Sequence, residues 1–334
     1  MTRTGRPLIA ALGAILAGTV AVAAQAETFR LSHNTSDTTT WHQGSEKFNE
    51  LLKEATDGEM QVRIFPNASL AGGDQMKQAE MLGRGALDFV VTSAINVTPI
   101  VPEMAVFSLP YLYSSYEEVD ATTQGAPAEK IEELLAERDI MVLAWGENGF
   151  REVTNSVRPI RSPDDLRGLK MRVAGPMYID VMNALGANPQ QMQWSETFTA
   201  LQQGVVDGQE NPIGAVIIPQ RVYEVQDHLT TWHYSYDPIF LAVSRKLWDA
   251  WDEETRTKVR NAAIEAMDFQ KKISREGTAQ GIEFLREKGM EVHEPTPEEL
   301  AAFRDATKPA FDNWAEKVGA ELVTTFQEAI AAAN

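Results

Sequence analysis

The chain has no cysteine. Disulfides, thiol nucleophiles and cysteine-based metal sites are therefore excluded by composition alone. Histidine is scarce too. His33, His42, His228, His233 and His293 are the whole set, and no two have the helical spacing of a zinc pair. The motifs of common catalytic loops are missing: there is no G-x-S-x-G elbow, P-loop, G-x-G-x-x-G fingerprint or H-E-x-x-H helix. Positive charge is the third shortage. Thirty Lys and Arg face 48 Asp and Glu across 334 residues, a formal net charge of -18. Such a surface repels nucleic acid and anionic lipid. It also makes any inward-facing arginine conspicuous.

Long apolar runs are confined to the start. Arg3 and Arg6 precede an uncharged stretch from Leu8 to Val22, and Ala24-Gln25-Ala26 follows as a small-x-small triplet. This pattern predicts a secretory signal over residues 1–26, cut before Glu27. The run is short for a membrane span. Cleavage removes two arginines and no acid, so the net charge moves from -18 to -20. The mature protein is expected to be soluble and outside the cytoplasm.

Past Glu27, short apolar strands alternate with helix-period segments, which predicts an α/β fold with largely parallel sheets. Phe29 and Leu31 open a strand; Trp41, Phe48 and Leu52 recur at helical spacing; Met60, Val62 and Ile64 alternate. Asp74 is placed to cap a helix. A second unit begins past Gly149-Phe150-Arg151. Ser162-Pro163-Asp164-Asp165 and Thr296-Pro297-Glu298-Glu299 have the composition of helix starts, and Ser195 is expected to cap another helix. Residues 253–287 read as one long helix with Val259, Ala262, Ala266, Phe269 and Ile273 on its buried face, bent or broken at Gly277 or Gly281. No linker composition separates the units, so several chain crossings are expected to join them.

Two arginines stand out. Arg172 alternates with Met171 and Val173 near the end of a strand, and ligands of open α/β sheets sit beyond strand carboxyl ends. A guanidinium there offers a planar fork for a carboxylate. Arg151 lies where one unit hands over to the next. By spacing alone, pairing with a structural acid is the commoner fate of either arginine. Trp194, Trp232 and Trp41 are more often core than binding wall, and Asn211 before Pro212 serves a ligand or a turn equally well.

Several segments together resemble a known family, the dicarboxylate-type solute receptors of TRAP transporters. They are Phe65-Pro66-Asn67-Ala68-Ser69-Leu70 with Gly73-Asp74, the run Val101 to Tyr111, Gly149-Phe150-Arg151, Leu166 to Val173, and above all Ala200 to Pro212 with its Gln-Glu-Asn-Pro ending. The resemblance spans the mature chain in order. It implies a two-domain periplasmic solute-binding fold with hinge-crossing strands and a long helix bridging both domains. Domain I would hold 27–149 plus about 238–275, and domain II 150–237 plus about 276–334, with the ligand cleft between them.

It further implies a receptor that delivers a small organic anion to the integral membrane subunits of a TRAP transporter. No catalysis, cofactor, metal or nucleic acid is implied, and a monomer is expected. Carried over residue by residue, Arg172 would pair with the ligand carboxylate, Arg151 would lie near the same group, and Asn211 would bond the ligand. Trp194 would cover it, and Asn34, Asp74, Ser93 and Asn96 would face it from the first domain. Thr92 stands where sialic-acid receptors have an acid, which counts against sialic acid. The loop Asn34 to His42 lacks the Thr-Pro-x-Gly pattern of dicarboxylate receptors, which counts against succinate or malate. A sugar acid, another hydroxy acid or a sulfonate stays open. A periplasmic enzyme on a similar scaffold and a sensory receptor are the alternatives.

Overall fold

The structure is a computed structural model that describes residues 1–2 and 26–334. The expected signal segment lies outside the described residues except at its ends. No helix among the described residues is long and apolar enough to cross a membrane.

The strands of the first sheet follow the apolar runs, whereas strands of the second such as Asn188–Gln191 and Gly208–Asn211 are largely polar. The first four are β1 (Glu27–Ser32), β2 (Met60–Phe65), β3 (Phe89–Ser93) and β4 (Ile140–Phe150). Then come β5 (Glu152–Asn155), β6 (Lys170–Val173), β7 (Asn188–Gln191), β8 (Gly208–Asn211), β9 (His228–Thr230), β10 (Tyr236–Ser244) and β11 (Glu291–His293). They form two sheets, ordered β2-β1-β3-β10-β4 and β11-β9-β5-β8-β6-β7. The sheets are mixed rather than largely parallel. β10 runs antiparallel to β3 and β4, and β5 runs antiparallel to β8 and β9. The chain passes between the sheets through β4–β5 and returns through β9–β10, so each crossing inserts a strand against the prevailing direction.

The outward crossing is one residue long. Arg151 alone separates β4 from β5. Its backbone N–H donates to Ser235 O at 2.9 Å, which ties the outward crossing to the returning one. Just before it, β4 carries a bulge. Asp237 pairs with Gly149 and Pro238 with Glu147, so Asn148 is the extra residue. Pro238 sits in a central strand only because the bulge removes the need for its ladder N–H. Gly149 has φ of 122°, a backbone that side chains rarely adopt.

The bulge explains a burial that the helical period misreads. The long helix Glu253–Glu287 buries Val259, Ala262 and Ala266 as expected, but Phe269 is 36% exposed and Ile273 is only partly covered. Gln270 and Ser274 lie inside instead. Gln270 accepts from Glu147 N at 2.8 Å and donates to Glu147 O at 2.7 Å. It thereby pairs both backbone groups of a residue flanking the bulge. A polar side chain thus occupies the apolar face because the strand beneath it is short of partners.

The helix runs unbroken past its glycines. Gly277 and Gly281 are the points where the turn Ile213–Ile217 packs closest. A Cβ on Gly214 would lie 2.5 Å from Ser274 O and 2.6 Å from Thr278 N, both backbone atoms. Neither can retreat without moving the helix. Gly214→Ala is therefore expected to cost about 1–3 kcal/mol, as overpacking does. A urea melt would show a lower midpoint at unchanged slope; an unchanged midpoint would refute the close approach.

Helix starts follow the sequence at Thr296, where the side chain takes Glu299 N and Glu299 returns a bond to Thr296 N. Ser162 opens a short turn, Pro163–Leu166, in another way: its N–H and its hydroxyl both donate to Asp165 Oδ2, at 2.8 and 2.9 Å. Ser195 does not cap. The cap lies two residues earlier, and the helix runs over Trp194–Gln202, because Gln193 has the extended backbone of a cap residue (φ -62°, ψ 145°).

Candidate ligand-binding site

A cavity of about 310 Å³, mouth included, lies between the two sheets. Its enclosed free space is only about 30 Å³, so the side chains of the two sheets stand close across it. Seven of the eight residues singled out from sequence line it: Asn34, Ser93, Asn96, Arg151, Arg172, Trp194 and Asn211. The strand ends bring them together. Ser93 closes β3, Arg172 is the penultimate residue of β6, and Asn211 closes β8.

Arg172 is 1% exposed. Its Nε and Nη2 donate to Met192 O at 3.1 and 2.9 Å, and its guanidinium lies 5.2 Å from the centre of the Trp194 ring. Two of its five N–H donors are used, which leaves three. No Asp or Glu among the described residues comes within ion-pair distance. Burial without an acidic partner pulls its pKa down to about 9, which Glu210 partly offsets and Arg151 reinforces. The group stays charged at neutral pH. A buried cation with spare donors aimed at a cavity is a receptor for an anion.

Arg151 is different. Its Nε and Nη2 grip the Glu210 carboxylate, Nη1 donates to Asp237 Oδ2 at 3.1 Å, and Nη2 also reaches Asn211 Oδ1 at 3.2 Å. The guanidinium lies 4.8 Å from the centre of the Tyr178 ring, and Tyr234 donates its hydroxyl to Glu210 at 2.8 Å. Burial works against the charge, yet Glu210, Tyr178 and Asp237 outweigh it. Burial also raises the pKa of Asp237, against the pull of Arg151, Asn148 and Ser93. Arg151 thus touches the cavity but is already neutralised. Its work is to pin the crossing to β8 and β10.

The family model for bacterial extracellular solute-binding proteins, family 7, matches residues 31–317. The chain belongs to that family. Its members are solute-binding proteins, not enzymes, and the paired sheets with one long helix against both are the two-domain α/β binding-protein fold. The chain is 34% identical over 327 residues to the C4-dicarboxylate-binding periplasmic protein DctP of Rhodobacter capsulatus, covering 97% of each. It is also similar to a TRAP periplasmic solute-binding protein from Ralstonia eutropha H16 solved with (S)-2-hydroxy-2-methyl-3-oxobutanoate. There the identity is 39%, the TM-score 0.89, and the coverage 91% of this chain and 99% of that one. A third similarity is to the sugar acid binding protein DctPAm from Advenella mimigardefordensis in complex with galactonate, at 30% identity and TM-score 0.88, covering 93% and 99%.

The remaining contacts of this family 7 protein close the cavity. Asn96 donates to Asn34 Oδ1 at 3.4 Å and accepts from Gln75 Nε2 at 2.9 Å. Gln75 reaches across: its Oε1 accepts from Trp194 N at 3.0 Å, and its N–H donates to Gln193 Oε1 at 3.0 Å. Asp74, the eighth expected site residue, does not line the cavity. Its Oδ1 accepts from Met76 N, Lys77 N and Gln193 Nε2, so it shapes the turn ahead of the helix Lys77–Gly83. Sequence reasoning missed Thr35, Gln75, Asn148 and Asp237 as lining residues. Asp237 had a signal, as a lone acid beside proline in an otherwise apolar strand. Among the described residues no cluster of three or more His, Asp or Glu could hold a metal ion.

Proposed function

We propose that this family 7 protein is a monomeric periplasmic receptor that binds one small carboxylate through Arg172 and delivers it to the integral membrane subunits of a TRAP transporter. The carrying observation is the buried Arg172 guanidinium, with three spare donors and no acidic partner, facing a cavity between two sheets. A carboxylate takes two parallel bonds from such a fork. Asn211 and Trp194 sit beside it, and Asn34, Ser93 and Asn96 approach from the other sheet. The ligands named for the similar proteins, a C4-dicarboxylate, a hydroxy-oxo acid and galactonate, are all carboxylates.

The two domains meet at the crossings. Domain I comprises 27–149 with about 238–275, and domain II 150–237 with about 276–334. Their closure around the ligand desolvates the ion pair. Residues 1–26 direct export.

A thermal-shift screen of carboxylates, each paired with its sulfonate counterpart, tests the reading. A carboxylate at a thousandfold excess over its Kd adds about 4 kcal/mol of stability. Stabilisation by sulfonates alone, or turnover of the bound acid, would replace the reading with a sulfonate receptor or an enzyme.

A further inference from the structure

The cavity holds a carboxylate of its own. Asp237 is fully buried and lines the same space as Arg172. We propose that Asp237 is the specificity residue of the site: it accepts a hydrogen bond from a ligand hydroxyl and excludes a second ligand carboxylate. The ligand class is then a hydroxylated monocarboxylate rather than a C4-dicarboxylate. The proposal rests on the carboxylate reading of Arg172 and narrows it.

The donor count carries the first half. Asp237 Oδ2 accepts from Asn148 Nδ2 at 2.9 Å and from Arg151 Nη1 at 3.1 Å. Ser93 Oγ lies 2.8 Å from both carboxylate oxygens, but its single hydrogen serves one at a time. Oδ1 has otherwise only a long contact from Ile95 N, at 3.5 Å. A carboxylate oxygen accepts about two hydrogen bonds. Oδ1 is therefore an under-used acceptor in a buried polar cavity, the place where a hydroxyl donor gains most. The bulge at Asn148 makes this arrangement. Asp237 pairs with Gly149, Asn148 is the inserted residue, and both line the cavity.

Charge carries the second half. Among the described residues the lining has two cations, Arg151 and Arg172, and one anion, Asp237. Arg151 is held by Glu210 and Asp237. Arg172 alone can balance a ligand, and it balances one carboxylate. A second carboxylate would enter a buried space with no cation to meet it and Asp237 against it, which disfavours its charged form strongly. The other polar lining groups, Asn34, Thr35 and Asn96 among them, are neutral amides and hydroxyls, which suit ligand hydroxyls and carry no charge for an acid.

Calorimetry with four-carbon probes of one length separates these terms. D-erythronate has a carboxylate and hydroxyls, butanoate only the carboxylate, and succinate two carboxylates. Galactonate and glutarate extend the panel to longer chains. We expect a hydroxy monocarboxylate to bind the wild type about a hundredfold or more tighter than butanoate or succinate, since a site built for a hydroxyl rejects the analogue that lacks it. Asp237→Asn keeps the shape and removes the charge. It should weaken the hydroxy acid tenfold or more, leave butanoate within about twofold, and strengthen succinate. A purely structural Asp237 would shift all probes by one factor.

That common shift would overturn the proposal. So would a dicarboxylate binding the wild type as tightly as the best hydroxy acid, a result that needs no variant. Failure of the underlying reading looks different: hydroxy-acid binding would survive Arg172→Gln, or no carboxylate would bind at all.

Discussion

Arg172→Gln is expected to abolish high-affinity carboxylate binding while leaving the unliganded protein no less stable. The two halves have one cause. The guanidinium is buried beside Trp194 with only the carbonyl of Met192 as acceptor and no acid to balance it. Folding has already desolvated it, so a bound carboxylate supplies the missing charge in a low-dielectric site. Truncating one member of such a buried pair costs about 2–5 kcal/mol of binding, roughly a 30- to several-thousand-fold loss. In the unliganded protein the same charge is a liability. A neutral amide that can still donate to Met192 O removes the desolvation cost, and stability holds or rises by about 1 kcal/mol. Arg172→Lys keeps the charge but loses the fork, and should bind at least tenfold more weakly than wild type. Calorimetry reads affinity and urea denaturation reads stability. Near wild-type binding by the glutamine variant would remove Arg172 from the site.

Sequence periodicity located Arg172 and Arg151 but could not tell them apart. Both are arginines beside apolar strand residues. What separates them is the company they keep, and that company is distant. Arg151 meets Glu210 59 positions later and Asp237 86 positions later, because β8 and β10 flank the crossing. Among the described residues Arg172 meets no acid within ion-pair distance. The family resemblance puts Arg172, Arg151 and Asp74 alike at the ligand; in the structure Arg172 lines the cavity without an acid, Arg151 lines it paired with Glu210 and Asp237, and Asp74 shapes a turn outside the lining.

The long helix makes the same point. Its ends at Glu253 and Glu287 were readable because caps and breakers act locally. Its buried face was not, because Gln270 answers a bulge in β4 more than a hundred residues earlier. The glycines at 277 and 281 looked like breaks until the turn at Ile213–Ile217 gave them a packing partner. Elements set by neighbours along the chain were legible. Positions set by neighbours across the cleft were not.

Arg151→Met should be the most destabilising single change in the hinge. The side chain holds Glu210 through two donors and Asp237 through a third, and its backbone N–H ties β4–β5 to the returning crossing at Ser235. Methionine fills much of the volume and keeps contact with Tyr178, so packing survives. The charge does not. Glu210 and Asp237, both fully buried, would be left without a cation, with Tyr234, Ser93, Asn148 and a long contact from Ile95 N as donors. Breaking a buried network in this way costs about 3–5 kcal/mol, which lowers Tm by on the order of 10 °C in a chain of this size.

The loss should depend on pH with a definite sign. Burial already raises the folded pKa of Asp237, and the variant loses the opposing pull of Arg151, so protonation favours the folded variant. Its deficit against wild type is then smallest at acid pH and grows as pH rises through that raised value. Arg151→Met combined with Glu210→Gln removes one of the two stranded charges and should recover about half of the loss at pH 8. A deficit that stays flat from pH 5 to 8, with no recovery in the double variant, would mean that Arg151 acts by packing and not by charge.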